Sequence, residues 1–385
     1  MDRIYMDNSS TSFPKASGVA EAMMFFTTQV GCNIGRGGYD EAYNAAMVVY
    51  DTRLRLARLV GHPDPKNVIF TNNITTSLNF LIKGLLKPGD HVLVSSMEHN
   101  AMMRPLVQME RYGVTFSRIP CNQEGYPNLA EIEGMITPST KAILLLHASN
   151  VCGTLLPIGE IGQICRQKGL RFIVDAAQTL GIYPVDMQEM CIDALCFTGH
   201  KSLLGPQGIG GFVITDELAA EIDPLISGGT GSKSDSEDVP DFLPDKFEAG
   251  TMNLPATYGL NAALVYLEQQ GIDKIRLHEQ QLAARLQAGI EDLPGVRIVG
   301  EPDPFKRCPI VAVDFVGKDN AEIGFSLESN YGIMTRCGLH CAPSAHKSLG
   351  TFPQGVVRFS VGATTTIDQI DAVIKSIKCI LSQDS

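Results

Sequence analysis

Short unbroken runs of apolar residues recur along the first half of the chain, each bounded by Gly, Asn, Ser, Thr or a charged residue. Residues 67–71, 91–95, 141–146 and 171–175 are such runs, and 191–196 is another, closed by Phe197, Thr198 and Gly199. Runs of that length are predicted to be buried strands. Between them, residues 42–59 and 78–86 alternate apolar and polar positions at helical spacing, which predicts helices. Strands alternating with helices over residues 67–215 predict an α/β unit with a mainly parallel sheet. Residues 207–214 read as a strand turning back. A long helical pattern, 256–293, then leads toward a second unit with strands at 296–299, 310–315 and 356–360.

Length supports two units, since 385 residues exceed what one hydrophobic core usually serves. A formal net charge of −11 argues against nucleic acid or an anionic membrane as the main partner. No apolar segment approaches the roughly 20 residues that span a bilayer. Residues 1–7 lack the apolar core of a secretory leader. Ten cysteines without a regular framework predict free thiols in a reducing, cytoplasmic setting.

The candidate chemistry lies at strand ends. Thr198-Gly199-His200-Lys201-Ser202 closes one apolar run, and the run at 171–175 ends in Asp175. Ligands of α/β proteins bind at the carboxyl ends of parallel strands. A lysine for an aldehyde and an aspartate for a ring nitrogen are the pair that pyridoxal 5'-phosphate requires. Residues 72–77, a turn into a helix carrying Thr75, Thr76 and Ser77, suit a phosphate, although helix capping alone accounts for such a turn. The glycines of 207–211 do not spell a dinucleotide fingerprint, and in 228–234 Ser232 separates Gly231 from Lys233, so a P-loop fails. A glycine-rich loop at 33–39 carries Arg36 and reads as a turn.

Val174-Asp175-Ala176-Ala177-Gln178 followed by Thr198-Gly199-His200-Lys201 resembles the class V aminotransferase family of pyridoxal-phosphate enzymes, in its cysteine desulfurase and selenocysteine lyase branch. The resemblance runs from Tyr5, Met6, Asp7 and Asn8 to Arg358, Phe359 and Ser360. It implies the fold type I architecture of pyridoxal-phosphate-dependent transferases: α/β, with a large domain built on a mainly parallel seven-stranded sheet and a smaller α+β C-terminal domain. The large domain is expected at 15–255, the small one at 1–14 and 256–385. The resemblance puts the cofactor phosphate at Thr75, with Thr198 and His200 as further ligands. It puts His99 against the ring, where it can also move protons, and Asn150 beside cofactor and substrate. Gln178 falls at the ring hydroxyl and Arg358 at the substrate carboxylate. Thr251 is implied to reach the phosphate of a neighbouring subunit, hence a homodimer with shared sites. Residues 361–364 depart from the family's asparagine-containing version, which leaves the positioning of the amino acid open.

A second cluster is Thr335-Arg336-Cys337-Gly338-Leu339-His340-Cys341-Ala342-Pro343. A structural zinc site needs a second ligand pair at short spacing, and none follows nearby. A thiol beside arginine and histidine is instead predicted to ionise readily. The stretch resembles the catalytic loop of group II cysteine desulfurases, with Cys341 as the nucleophile; Cys337 is either a resolving thiol or a neutral substitution. The implied activity converts L-cysteine to L-alanine and leaves a persulfide on Cys341 for a sulfur-acceptor protein, with Lys201 and His99 handling protons. L-selenocysteine lyase or another family activity is the alternative, and an inactive sulfur carrier or scaffold is the rival outside enzymes.

Overall fold

The computed structural model describes residues 3–35 and 37–383, so Arg36 of the glycine-rich loop lies outside the described residues. Seven strands form the main sheet. In spatial order they are Val68–Thr71, Gly210–Ile214, Ala194–Thr198, Arg171–Asp175, Thr140–Leu146, His91–Ser95 and Thr115–Ile119. Gly210–Ile214 runs antiparallel to both neighbours, and the other pairings are parallel. Because side chains alternate faces, each apolar run feeds two cores. Ile143, Leu145, Phe172, Val174, Leu195 and Phe197 fill one face. Val92, Val94, Leu144, Ile173, Cys196 and Phe212 fill the other. Coverage on both sides is why these strands read as continuous apolar segments.

A second sheet of four antiparallel strands has the order Arg336–Gly338, Val356–Ser360, Ile310–Phe315, Val296–Val299. Its core takes Leu282, Leu286 and Ile290 from the helix Ile272–Ile290, with Ile370, Val373 and Ile377 from the last helix. The N-terminal segment joins this part: Ile4–Tyr5 pairs in parallel with Ile333–Met334, and Asp7 bridges to Ser360. The helix Leu254–Gln270, in contrast, buries Leu254, Leu260, Leu264 and Leu267 in the core of the large sheet.

Three expectations differ from the chain as folded. The run at 191–196 becomes a strand only from Ala194 and extends to Thr198. Asp193 stops it from starting earlier: its carboxylate accepts from the Phe172 amide at 2.8 Å and pairs with Arg171. The pattern at 256–293 is two helices, split where Gly271 takes φ 83°, a backbone conformation that favours glycine. The helix expected at 78–86 begins at Ile74, capped by the Asn73 side chain, which accepts from the Thr76 amide. No helix among the described residues is long and apolar enough to cross a membrane.

Candidate active site

The carboxyl ends of the parallel strands converge on a cavity of about 170 Å³. Asp175, Thr198 and Lys201 line it from adjacent strand ends, with Gln178 and His200 from the turns that follow. His99, Asn150 and Thr75 complete it. Eight of the residues expected in the site therefore meet in one place.

Asp175 is buried and its carboxylate accepts from the Ala177 amide at 2.9 Å. Burial raises its pKa, an effect opposed by that amide and by Lys201. The Lys201 amine is brought down to about 8, chiefly because burial disfavours its charge, although Asp175 pulls the other way. Part of the Lys201 surface opens into the cavity. Thr198 Oγ1, His200 Nδ1 and Asn150 Oδ1 are buried without a hydrogen-bond partner among the described residues. Such orphans are costly unless a ligand satisfies them. They lie on a cavity that also meets the N-terminal turn of the helix Ile74–Leu85. Free amides at a helix start favour an anion.

His99 caps the helix Asn100–Glu110, its Nδ1 accepting from the Ala101 amide at 3.0 Å. Burial, helped by the Lys201 charge, lowers its pKa to about 4, so the ring is neutral with its proton on Nε2. Beneath it Glu98, 1% exposed, accepts from Ser95 Oγ at 2.5 Å and from the Leu146 amide, joining the ends of two strands.

Cys341 and Arg358 sit beside the cavity rather than in its lining. After the strand Arg336–Gly338, His340 and Cys341 adopt φ 49° and 57°, two successive left-handed residues that are not glycine. Strain of that kind persists only where surroundings fix it. Here the Asn150 side-chain amide donates to the His340 carbonyl at 2.7 Å, and the Asn100 amide donates to the Cys341 carbonyl at 2.8 Å. The loop is thereby fastened to two cavity-side elements, and Cys341 is the exposed member of ten unpaired cysteines. Arg358 is buried, with Nη2 on Asp7 Oδ1 at 2.7 Å and Nη1 on the Asn150 carbonyl at 2.8 Å. Its Nε has no partner among the described residues.

One expectation about this loop is corrected, and one alternative left open by the sequence is narrowed. His340 supplies no charge to the thiol: it is buried, its pKa falls to about 3, and its Nε2 is 3.1 Å from the Arg336 carbonyl. Cys337 points into the small core, where a Cβ on Gly324 would lie 2.1 Å from its Sγ, and burial raises its pKa. That is packing, not the poise of a resolving thiol. Thr251 lies elsewhere in this chain, lining a second cavity with Phe70, Thr76 and Phe247. Sequence reasoning passed over Glu98 and the pairing of Asp7 with Arg358. The acid-before-histidine step 98–99 was the only available signal for the first; nothing local marks the second.

The family model described as "Aminotransferase class-V" matches residues 4–373. A probable cysteine desulfurase of Methanothermobacter thermautotrophicus is 30% identical over 98% of this chain and 94% of its own length. The cysteine desulfurase CsdA of Escherichia coli is 29% identical over 97% and 93%. Among solved structures, the apo cysteine desulfurase from Thermococcus onnurineus superposes with a TM-score of 0.92 at 29% identity, over 99% of this chain and 95% of that one. With the family model spanning nearly every strand and both sheets, the chain belongs to the class-V aminotransferases.

Proposed function

We propose that the protein is a pyridoxal-phosphate-dependent cysteine desulfurase that converts L-cysteine to L-alanine and leaves a persulfide on Cys341. The observation that carries this reading is the placement of Lys201 and Asp175 in one cavity with three orphaned polar atoms, beside a fastened loop that presents Cys341. Cysteine desulfurase relatives over nearly the full chain support it.

The residues fit the cofactor. Thr198 Oγ1 and His200 Nδ1 need partners, and with Thr75 at the helix start they suit its phosphate. The Asp175 carboxylate, buried with one amide donor, suits a protonated ring nitrogen. Gln178 gives one amide hydrogen to the Ser9 carbonyl at 3.1 Å, which leaves its other for the ring hydroxyl. When bound, pyridoxal 5'-phosphate supplies the electron sink that makes loss of the substrate Cα proton accessible.

Around it this chain's side chains divide the work. Arg358, with Nε still unpaired, holds the substrate α-carboxylate. Asn150 links that arginine to the Cys341 loop, through its carbonyl on one side and its side-chain amide on the other. Lys201, its amine brought down to about 8, would hold the cofactor aldehyde and, once free, is placed to accept the substrate Cα proton. Neutral His99 would lie against the cofactor ring and can pass a proton from Nε2. Cys341 thiolate attacks the substrate sulfur; the S–S bond forms, the C–S bond breaks, and its electron pair stays with the carbon, which takes a proton. Exposure of Cys341 gives a sulfur acceptor access to the persulfide.

We also propose residues 15–255 as the cofactor-holding unit and 1–14 with 256–385 as the unit that carries the cysteine loop. At the start of 256–385 the helix Leu254–Gln270 packs in the core of the large sheet, so the elements of the smaller fold follow it. A homodimer accounts for Thr251 standing apart from its own cavity. It also accounts for Tyr39, Tyr43, Met47 and Tyr50, exposed at helical spacing along and just before the helix Asp40–Leu59. Ten unpaired thiols suit a cytoplasmic setting.

The test is alanine and sulfide release from L-cysteine by the holoprotein and by Cys341→Ala. The variant should keep the cofactor absorbance near about 420 nm and lose alanine formation. Equal alanine formation by both proteins would remove the sulfur mechanism, and no absorbance after cofactor addition would remove the cofactor reading.

A further inference from the structure

Lys201 borders two cavities. Behind the candidate site lies a smaller one of about 40 Å³. At roughly 10–15 Å³ of such volume per water, it has room for two or three. Ser9, Ser12, Gln178, Lys201 and Ser202 line it from the site side, and Glu279 lines it from the helix Ile272–Ile290. Glu279 is 5% exposed. Desolvation is the only influence on its ionisation: no amide, hydroxyl or cation among the described residues stabilises the carboxylate. The acidic groups facing it are the Cys308 thiol and the Tyr183 phenol, both pushed up by their own burial. The charged group across the cavity is Lys201.

An unpaired carboxylate in such a place costs several kcal/mol, so the carboxyl keeps its proton until about pH 8. Its neighbours Leu282, Ala283 and Leu286 are core residues, and an apolar side chain at 279 would be the economical choice for packing alone. A buried acid and the site lysine thus line one cavity with room for water, and they are the charged residues of that lining.

We propose that Glu279 is a positioning residue that exchanges a proton with the Lys201 amine through water in this cavity. The exchange is balanced: the protonated Glu279 carboxyl gives its proton to a water, a water gives one to the Lys201 amine, and the reverse returns both. No electron moves and no co-reactant is needed. The inference rests on the desulfurase reading, in which Lys201 takes the Cα proton and must be reset. The route makes that proton exchangeable with solvent.

The test is turnover of L-cysteine in D2O by the wild-type holoenzyme, E279Q and E279L. Wild-type alanine should carry solvent deuterium at Cα. Both variants should retain more of the substrate's own proton, with kcat lower by about tenfold and KM within about twofold. Independently of activity, the infrared difference between wild type and E279Q should contain a carboxylic-acid band that titrates away through pH 8. Unchanged deuterium content in both variants, or no such band, would overturn the proposal. A wild-type enzyme that forms no alanine would sink the desulfurase reading instead, and the infrared titration still decides whether Glu279 holds the proton.

Discussion

Glu98 carries a stability consequence that changes sign with pH. Its carboxyl is 1% exposed and its pKa rises from 4.5 to about 8, with burial the largest cause and the charge of Asp175 adding to it. A carboxyl whose pKa rises on folding contributes fully at low pH, and that contribution is lost as pH climbs from about 4.5 to about 8. At about 1.36 kcal/mol per pH unit, the wild type gives up about 3 kcal/mol by pH 7 and almost nothing at pH 4.5. Glu98→Gln removes this loss. The amide oxygen can still accept from Ser95 Oγ and the Leu146 amide, but the amide carries two N–H donors where the protonated carboxyl has one O–H, and a buried donor left unpaired costs about 1 kcal/mol. Glu98 also borders an open cavity near Pro343, which lets water soften the penalty. Glu98→Gln should therefore stabilise the protein by about 1–2 kcal/mol at pH 8 and destabilise it by up to about 1 kcal/mol at pH 5. Urea unfolding of both proteins at the two pH values measures the difference. A difference independent of pH, or a less stable variant at pH 8, would refute the reasoning.

Other outcomes follow from the same geometry. Arg358→Lys should lower kcat/KM for L-cysteine by at least about tenfold, mainly through KM, because one ammonium cannot hold Asp7, the Asn150 carbonyl and a carboxylate together. Cys337→Ala should leave alanine formation within about twofold, since its thiol is packed against Gly324. Gly324→Ala should cost about 1–3 kcal/mol in thermal or urea unfolding, and the loss should be recovered when Cys337→Ala makes room. His99→Phe should lower the height of the pH–rate profile without moving its limbs between pH 5.5 and 8, because His99 is neutral above about pH 4.

Much of this architecture was legible because the parallel strands are covered on both faces. The parallel runs at 91–95 and 171–175 match their strands residue for residue, and so do the runs at 296–299, 310–315 and 356–360 of the antiparallel sheet. Asp175 and Lys201 were legible for a related reason: a charged residue that closes an apolar run is placed by that run. The short strand Arg336–Gly338 was not, since it is held by pairing with Val356–Ser360 and has no apolar pattern of its own. The neutrality of His340 was equally hidden. Adjacency in sequence predicts a charge beside Cys341, but burial decides whether the charge exists. Glu279 sits in an ordinary helical pattern, and only tertiary packing brings it to the cavity behind Lys201.

The pairing of Ile4–Tyr5 with Ile333–Met334, and of Asp7 with Ser360, matters for how the chain is made. A ribosome releases the first segment long before its mates exist, while the strands from Val68 to Ile214 can already close their sheet. Residues 4–7 must wait as an unpaired edge until position 360 has emerged. Arg358 meets its counter-ion Asp7 only then, so this corner of the cavity's surroundings is completed after the large sheet.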